Sequence, residues 1–257
     1  MTNLLWSMMK MINIVIPMAG RGSRFINAGY MLPKPLIEIH GRPMIEYVVK
    51  NITPDKEHRF IFICLREHLD KYNLKEILNK IAPGCILISI EAVTEGAACT
   101  VLLAEKYIDN NNSLMIANSD QFIDIDINKY LAAMNKSDGL IMTMKAYDNK
   151  WSFIKYDDEG FVTMIREKEV ISDEATVGIY NYKKGSEFVK YAKQMIEKNI
   201  RVNNEFYVAP VYNEMLEDGK KISFYNIGSL NKGMYGLGVP EDLEMFLANP
   251  LSKNIFK

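Results

Sequence analysis

The chain is poor in the residue types that mark several common functions. It has three cysteines, Cys64, Cys85 and Cys99, an odd number with no metal-ligand spacing. That argues against a disulfide framework and a cysteine zinc site. Cys64 and Cys85 lie in apolar runs and read as core fillers, which suits a reduced, cytoplasmic setting. The three histidines, His40, His58 and His68, form no HxxxH or HExxH pattern, so they read as structural or solvated. Neither charge sign is in excess: 31 basic and 32 acidic residues leave a net charge of −1. A nucleic-acid partner would need a basic footprint and is not expected. No apolar run reaches the roughly 20 residues of a membrane span. The opening MTNLLWSMMKM is short, is broken by Lys10 and lacks the charge order and cleavage site of a signal peptide. Residues 1–10 read as a dispensable tail. Linkers, repeats and low-complexity tracts are also missing.

What is present is a globular pattern. The 257 residues, 48% of them apolar, suffice for one large α/β domain. Apolar strands alternate with amphipathic helices through the first half. Strands are expected at 13–16, 59–65, 86–90 and 113–117, and helices at 44–52, 67–81 and 97–107. This alternation predicts a mostly parallel sheet with helices on both faces. Ligands of such sheets sit beyond the carboxyl ends of the strands. The second half has strands at 140–146, 151–156, 161–166 and 176–182 with short turns, which predicts a small antiparallel part. Helices follow at 187–198 and 206–216, then strands at 221–226 and 234–237, and a last helix from Pro240. One domain is expected, with a ligand-binding core over 11–135 and an added part over 136–257.

The densest chemistry lies in IVIPMAGRGSRFINAGYMLPKP, from Ile14 to Pro35. A buried strand runs into a loop carrying Gly20, Arg21, Gly22, Ser23 and Arg24. Two glycines allow the backbone to present consecutive N–H groups to an anion. The arginines add charge that persists at any working pH. Lys34 stands between Pro33 and Pro35, so its backbone is restricted and its amine is aimed. The set suits a polyphosphate. A dinucleotide loop would need glycine where Phe25 stands and an acid after the second strand, which instead ends Cys64-Leu65-Arg66. A P-loop would need a Gly-Lys-Ser/Thr ending. A solvated Gly-rich turn is the remaining alternative. Asp120, after the strand in IANSDQF, is a hard oxygen ligand suited to Mg²⁺. Asp124 and Asp126 read as a helix start.

The ordered set GRGSR, PKP, TEGAA, NSD, EK, NEFY and GLGVPEDLEMF resembles the nucleotidyltransferases that make activated sugars from a nucleoside triphosphate and a sugar 1-phosphate. The resemblance covers nearly the whole chain and implies their three-layer Rossmann-like fold. It implies that Arg24 meets the β- and γ-phosphates, that Lys34 neutralises the α-phosphate, and that Asp120 holds Mg²⁺. Met18, Ala19, Gly20, Arg21, Gly22, Ser23, Gly96, Ala97 and Ser119 would surround the nucleotide. Glu167 and Lys168 would meet the acceptor, the lysine on its phosphate, with Glu205 nearby. The family's second metal-binding aspartate falls on Gly236, so Glu205 is the alternative second ligand, with Asp242 disfavoured by its place inside the last helix.

Base choice has one clue. Glu91 stands where family members often carry glutamine, and a carboxylate only accepts hydrogen bonds, which suits the amino group of cytosine. EHLDKY, TEGAACTVLLAE, NSDQ and ATVGIYNY resemble a capsule-associated branch, which implies CTP and an acceptor such as L-glutamine phosphate. Glu169, where proline is usual, would suit an acceptor bearing an ammonium group. The expected reaction is transfer of a nucleoside monophosphate with release of pyrophosphate. A sugar-1-phosphate nucleotidylyltransferase using CTP, UTP or dTTP is the second reading. An idle nucleotide-binding regulator is the third. The sequence leaves room for a homo-oligomer.

Overall fold

The computed structural model describes residues 11–134 and 137–256. The expected tail at 1–10 and the junction at 135–136 lie outside the described residues. Strand β1 (Ile12–Pro17) is an apolar run, buried at all positions but its last. The following segment is not all loop as expected. Gly22 takes a left-handed φ of 65° and starts a short helix, α1 (Ser23–Asn27). A 3₁₀ turn at Lys34–Leu36 leads into the hairpin strands β2 (Glu38–Ile39) and β3 (Arg42–Pro43). His40 and Gly41 join them at φ 49° and 80°, the double positive turn that matches strand twist. Helix α2 (Met44–Ile52) and strand β4 (His58–Leu65) follow.

The expected helix over 67–81 is two helices, α3 (Arg66–Lys71) and α4 (Leu74–Ile81), because Asn73 between them is left-handed at φ 52°. After β5 (Ile86–Ile90), the expected helix over 97–107 also splits, into α5 (Ala97–Leu102) and α6 (Glu105–Ile108). There the Leu103 and Ala104 N–H groups bond three residues back, which tightens and ends the first helix. Then come β6 (Ser113–Ala117), β7 (Gln121–Ile123) and α7 (Ile127–Ala132). Asp126 caps α7 by accepting from the Asn128 N–H, whereas Asp124 lies outside it.

The second half contributes β8 (Gly139–Lys145), β9 (Ser152–Tyr156), β10 (Val162–Glu167) and β11 (Glu174–Tyr182). Helices α8 (Gly185–Glu197) and α9 (Val211–Glu217), strands β12 (Ile222–Leu230) and β13 (Gly233–Gly236), and helix α10 (Pro240–Ala248) complete it. Helix α9 begins later than expected. The Phe206 backbone is engaged instead by Glu95 and Ala98, at 2.8 and 3.0 Å.

Among the described residues one mixed sheet of eleven strands runs β5-β4-β1-β6-β11-β8-β12-β13-β7, with β9 and β10 as an antiparallel ribbon off β11. Strands β5, β4, β1 and β6 are parallel, and β11 is antiparallel to β6. Alternate residues of β1 enter cores on opposite faces: Ile14 joins Phe62 and Met115, while Val15 joins Ile61 and Ile116. That is the burial of a strand covered on both sides. A third apolar cluster fixes α10, where Phe246 packs with Tyr47, Phe122 and Tyr235. The loop after β1 and the turn after β6 leave the sheet at the same edge.

Gly96 is one of the tight junctions between the halves. Its φ is 137°, and a Cβ there would lie 2.4 Å from the Phe206 carbonyl oxygen. Gly96→Ala is expected to destabilise the fold by about 1–3 kcal/mol, read as a lowered urea midpoint. An unchanged midpoint would contradict this packing.

Candidate functional site

The site grows from three chain turns at one sheet edge. Gly22 brings the loop against the lysine: a Cβ on Gly22 would lie 3.3 Å from Lys34 Cβ. Buried Pro35 and buried Pro33 hold the Lys34 backbone on either side. Its amine donates to Asp120 Oδ2 at 2.7 Å, across 86 residues of sequence. Both side chains are about three-quarters buried, at 22% and 24% exposure. Arg24, exposed, stands over the same space. Gly22, Ser23, Arg24, Lys34 and Asp120 line one cleft of about 530 Å³.

The opposite wall comes from β13 and α10. A Cβ on Gly238 would lie 2.8 Å from Asp120 Oδ2, and one on Gly236 would lie 2.9 Å from Asp242 Oδ2. The Asp242 carboxylate thus fills the space that a side chain at 236 would claim. Asp242 lies in the first turn of α10 and lines the cleft with Asp120, contrary to the expectation that its helix removes it. Glu205 does not line this cleft. The residues fit a Mg²⁺ ion. The Lys34 amine already occupies a cation position on Asp120, and the missing Cβ at 238 leaves that carboxylate room. Among the described residues no group of three His, Cys, Asp or Glu side chains gathers to hold a metal. Two carboxylates leave the rest of the shell to phosphate oxygens and water, as Mg²⁺ prefers.

A second lobe of about 280 Å³ adjoins the first and shares Asn118, Lys150, Trp151 and Lys168 with it. The β9–β10 ribbon forms its wall. Ser152 pairs with Glu167 in register, and the Ser152 hydroxyl donates to the Glu167 carboxylate. Burial pushes the Glu167 carboxyl above its usual range, with the Ser152 hydrogen bond and the Lys168 charge pulling the other way. Lys168 has left-handed backbone at φ 57°, rare for a residue with a side chain. Its N–H donates to the Trp151 carbonyl at 3.0 Å, and its amine donates to Tyr207 Oη at 2.7 Å. That hydroxyl, followed by the nearby carboxylates, raises the Lys168 pKa, so its charge is secure. Burial, then the neighbouring Glu205, raises Tyr207. Glu205 lines neither lobe, and its carboxylate lies beside Tyr207.

Met18 and Ala19 are buried under the loop, and Ser119 is buried beside Asp120. Gly20 and Arg21 are exposed and line neither lobe. Ala97 lines the second lobe, while Gly96 is spent on its contact with Phe206. Glu91 is 76% exposed, is paired with Arg66, and lines neither lobe. Sequence reasoning passed over Asn118, Gln121, Lys150, Trp151 and Tyr207. Gln121 is buried in the cleft wall, and its Nε2 has no hydrogen-bond partner among the described residues. Its position next to Asp120 was a signal. Lys150 and Trp151, at the mouth of the strand that pairs with the Glu167 strand, carried a fainter one.

The chain is 24% identical over 176 residues to the bifunctional protein GlmU of Methanococcus aeolicus, covering 66% of this chain and 40% of that protein. It is 23% identical over 179 residues to GlmU of Methanocaldococcus jannaschii, covering 67% and 40%. It thus spans about two-fifths of these curated relatives. A nucleoside-diphosphate-sugar pyrophosphorylase from Vibrio cholerae superposes with a TM-score of 0.80 at 26% identity, over 92% of this chain and 100% of that one. The fold also matches the inositol-1-phosphate CTP transferase of T. maritima, with a TM-score of 0.72 at 14% identity and 96% of both chains covered. The family model for nucleotidyl transferases matches residues 14–228, and this chain belongs to that family.

Proposed function

We propose that the chain is a Mg²⁺-dependent cytidylyltransferase that moves CMP from CTP to a small phosphorylated acceptor, specifically L-glutamine phosphate, within capsule polysaccharide modification. The observation that carries nucleotidyl transfer is the Lys34–Asp120 pair on the floor of a cleft that also holds Arg24 and Lys168. An acceptor phosphate oxygen bonds to the α-phosphorus, the bond from that phosphorus to the β-bridging oxygen breaks, and pyrophosphate leaves. No side-chain nucleophile is needed. The protein holds two anions together and stabilises charge that grows in line. Arg24 takes the leaving phosphates, Lys34 the α-phosphate, and Lys168 the acceptor phosphate. Asp120 and Asp242 would hold the ion, which when bound neutralises phosphate charge.

The choice of CTP rests on resemblance, because Glu91 is already paired with Arg66. The acceptor lobe itself, with Glu167, Asn118, Thr176 and Tyr207 on its walls, also suits a sugar 1-phosphate. That second reading shares every phosphate-handling residue. Pyrophosphate release across CTP, UTP, dTTP and GTP, with phosphorylated amino acids, sugars and alcohols, separates the two. Highest turnover is expected with CTP and L-glutamine phosphate. Highest turnover with a sugar 1-phosphate would support the second reading. No release from any pair would leave a nucleotide-binding regulator.

Lys34→Met is expected to lower kcat about 10²–10³-fold. Asp242→Asn should weaken Mn²⁺ binding, followed by electron paramagnetic resonance, by at least about tenfold, one 1.4 kcal/mol step. Gly236→Asp, placed in an Asp242→Ala background, should restore it, because the two side chains compete for one space. Unchanged Mn²⁺ affinity in Asp242→Asn would remove that residue from the metal site.

Glu167 gives a pH prediction. A carboxyl whose pKa is raised by folding stabilises the fold fully below its ordinary pKa, about 4.3. That contribution is lost as pH rises through the raised value. Glu167→Gln keeps the shape without the titration. Its melting temperature relative to the unmodified chain should therefore rise between about pH 4 and about pH 7. Parallel profiles would contradict a desolvated carboxyl.

A further inference from the structure

The reading of nucleotidyl transfer leaves one cation of the cleft without a role. Lys150 precedes β9 and lines both lobes. Trp151, its neighbour, is tied by its carbonyl to the Lys168 N–H at 3.0 Å. The open end of one ribbon therefore carries two lysines, one beside each strand, toward the boundary between the lobes. Their partners differ. Lys34 is held by Asp120 at 2.7 Å, and Lys168 by the Tyr207 hydroxyl at 2.7 Å. The Lys150 amine has its nearest carboxylate among the described residues, Asp148, at 4.0 Å, and both side chains of that pair are about half exposed. Such a pair is weak and exchanges readily with a stronger anion.

Charge sharpens the point. Among the described residues the first lobe carries four cationic side chains, Arg24, Lys34, Lys150 and Lys168, against Asp120 and Asp242. These side chains leave two positive charges in excess, about four with a Mg²⁺ ion counted, and Lys150 supplies one of them. A nucleoside triphosphate and a phosphate monoester brought together carry more negative charge than that. Their mutual repulsion is greatest where they meet, at the boundary that Lys150 lines.

We infer that Lys150 is a further catalytic residue, whose ammonium neutralises the phosphoryl group passing from the triphosphate to the acceptor. The inference rests on the nucleotidyl-transfer reading. As the bond from the acceptor oxygen to the α-phosphorus forms and the bond to pyrophosphate breaks, charge spreads over the oxygens at the lobe boundary. The Lys150 side chain acts here as a charge rather than as an acid.

The test measures pyrophosphate release by the full chain, with Mg²⁺ and the best nucleotide and acceptor of the panel. Lys150→Met should lower kcat by at least about 30-fold, with both KM values changed less than about threefold. Lys150→Arg, which keeps the charge, should stay within about fivefold of the unmodified chain. Melting temperatures establish that both variants fold, and Lys150→Gln replaces the methionine variant if that one does not. A normal kcat in the neutral variant overturns the inference, as does a change confined to the acceptor KM. An unmodified chain that releases no pyrophosphate overturns the parent reading, and this inference with it.

Discussion

The ion pair between Lys34 and Asp120 is the constraint on which the site is built. It joins the loop after β1 to the turn after β6, two parallel neighbours whose ends leave the sheet together. As a stabilising contact it is modest, because both groups keep some water and solvent screens them. Its meaning is spatial. A cation and a carboxylate are held at the floor of a cleft, each stabilised by the other until a charged ligand takes their place. In the proposed reading a triphosphate with its metal would supply both complementary charges at once: oxygens for Lys34 and an ion for Asp120.

A short run of contacts holds the wall of the second lobe to the turn before α5. The Glu95–Ala98 segment bonds to Phe206, the next residue is Tyr207, and Tyr207 holds the Lys168 amine. Gly96 permits this closeness because a side chain there would strike the Phe206 backbone. The turn expected beside the nucleotide therefore shares its backbone hydrogen bonds with the wall of the second lobe. The left-handed backbone of Lys168 lies at the far end of the same chain of contacts. Strain at a residue that faces two lobes is characteristic of sites where geometry is imposed for a purpose.

Much of this was legible in the sequence, because the motifs are local. GRGSR, PKP, NSD and EK each place their chemistry by short-range rules, glycine turns, proline restriction and strand ends. The parallel sheet followed from the alternation of apolar strands with helices. Asp242 was not legible. Its reach into the cleft depends on the empty space at Gly236 and on Phe246 anchoring α10 against Tyr47 and Phe122. Lys150 and Trp151 were hidden for a similar reason, since their position is set by pairing between β9 and β10. Glu91 instead faces a long-range partner, Arg66, and lines neither lobe, which the local pattern could not show. Split helices were missed where single residues such as Asn73 turn left-handed, which composition does not announce.

The central claim is that a triphosphate tail lies on the loop at Gly22–Arg24 and on Lys34, with its ion on Asp120. A crystal grown with Mn²⁺ and a non-hydrolysable CTP analogue tests it most directly. The account predicts phosphate density against Arg24 and Lys34 and an anomalous manganese peak bounded by Asp120 and Asp242. Phosphates bound elsewhere, with the Lys34–Asp120 pair still closed and Arg24 turned to solvent, would contradict it.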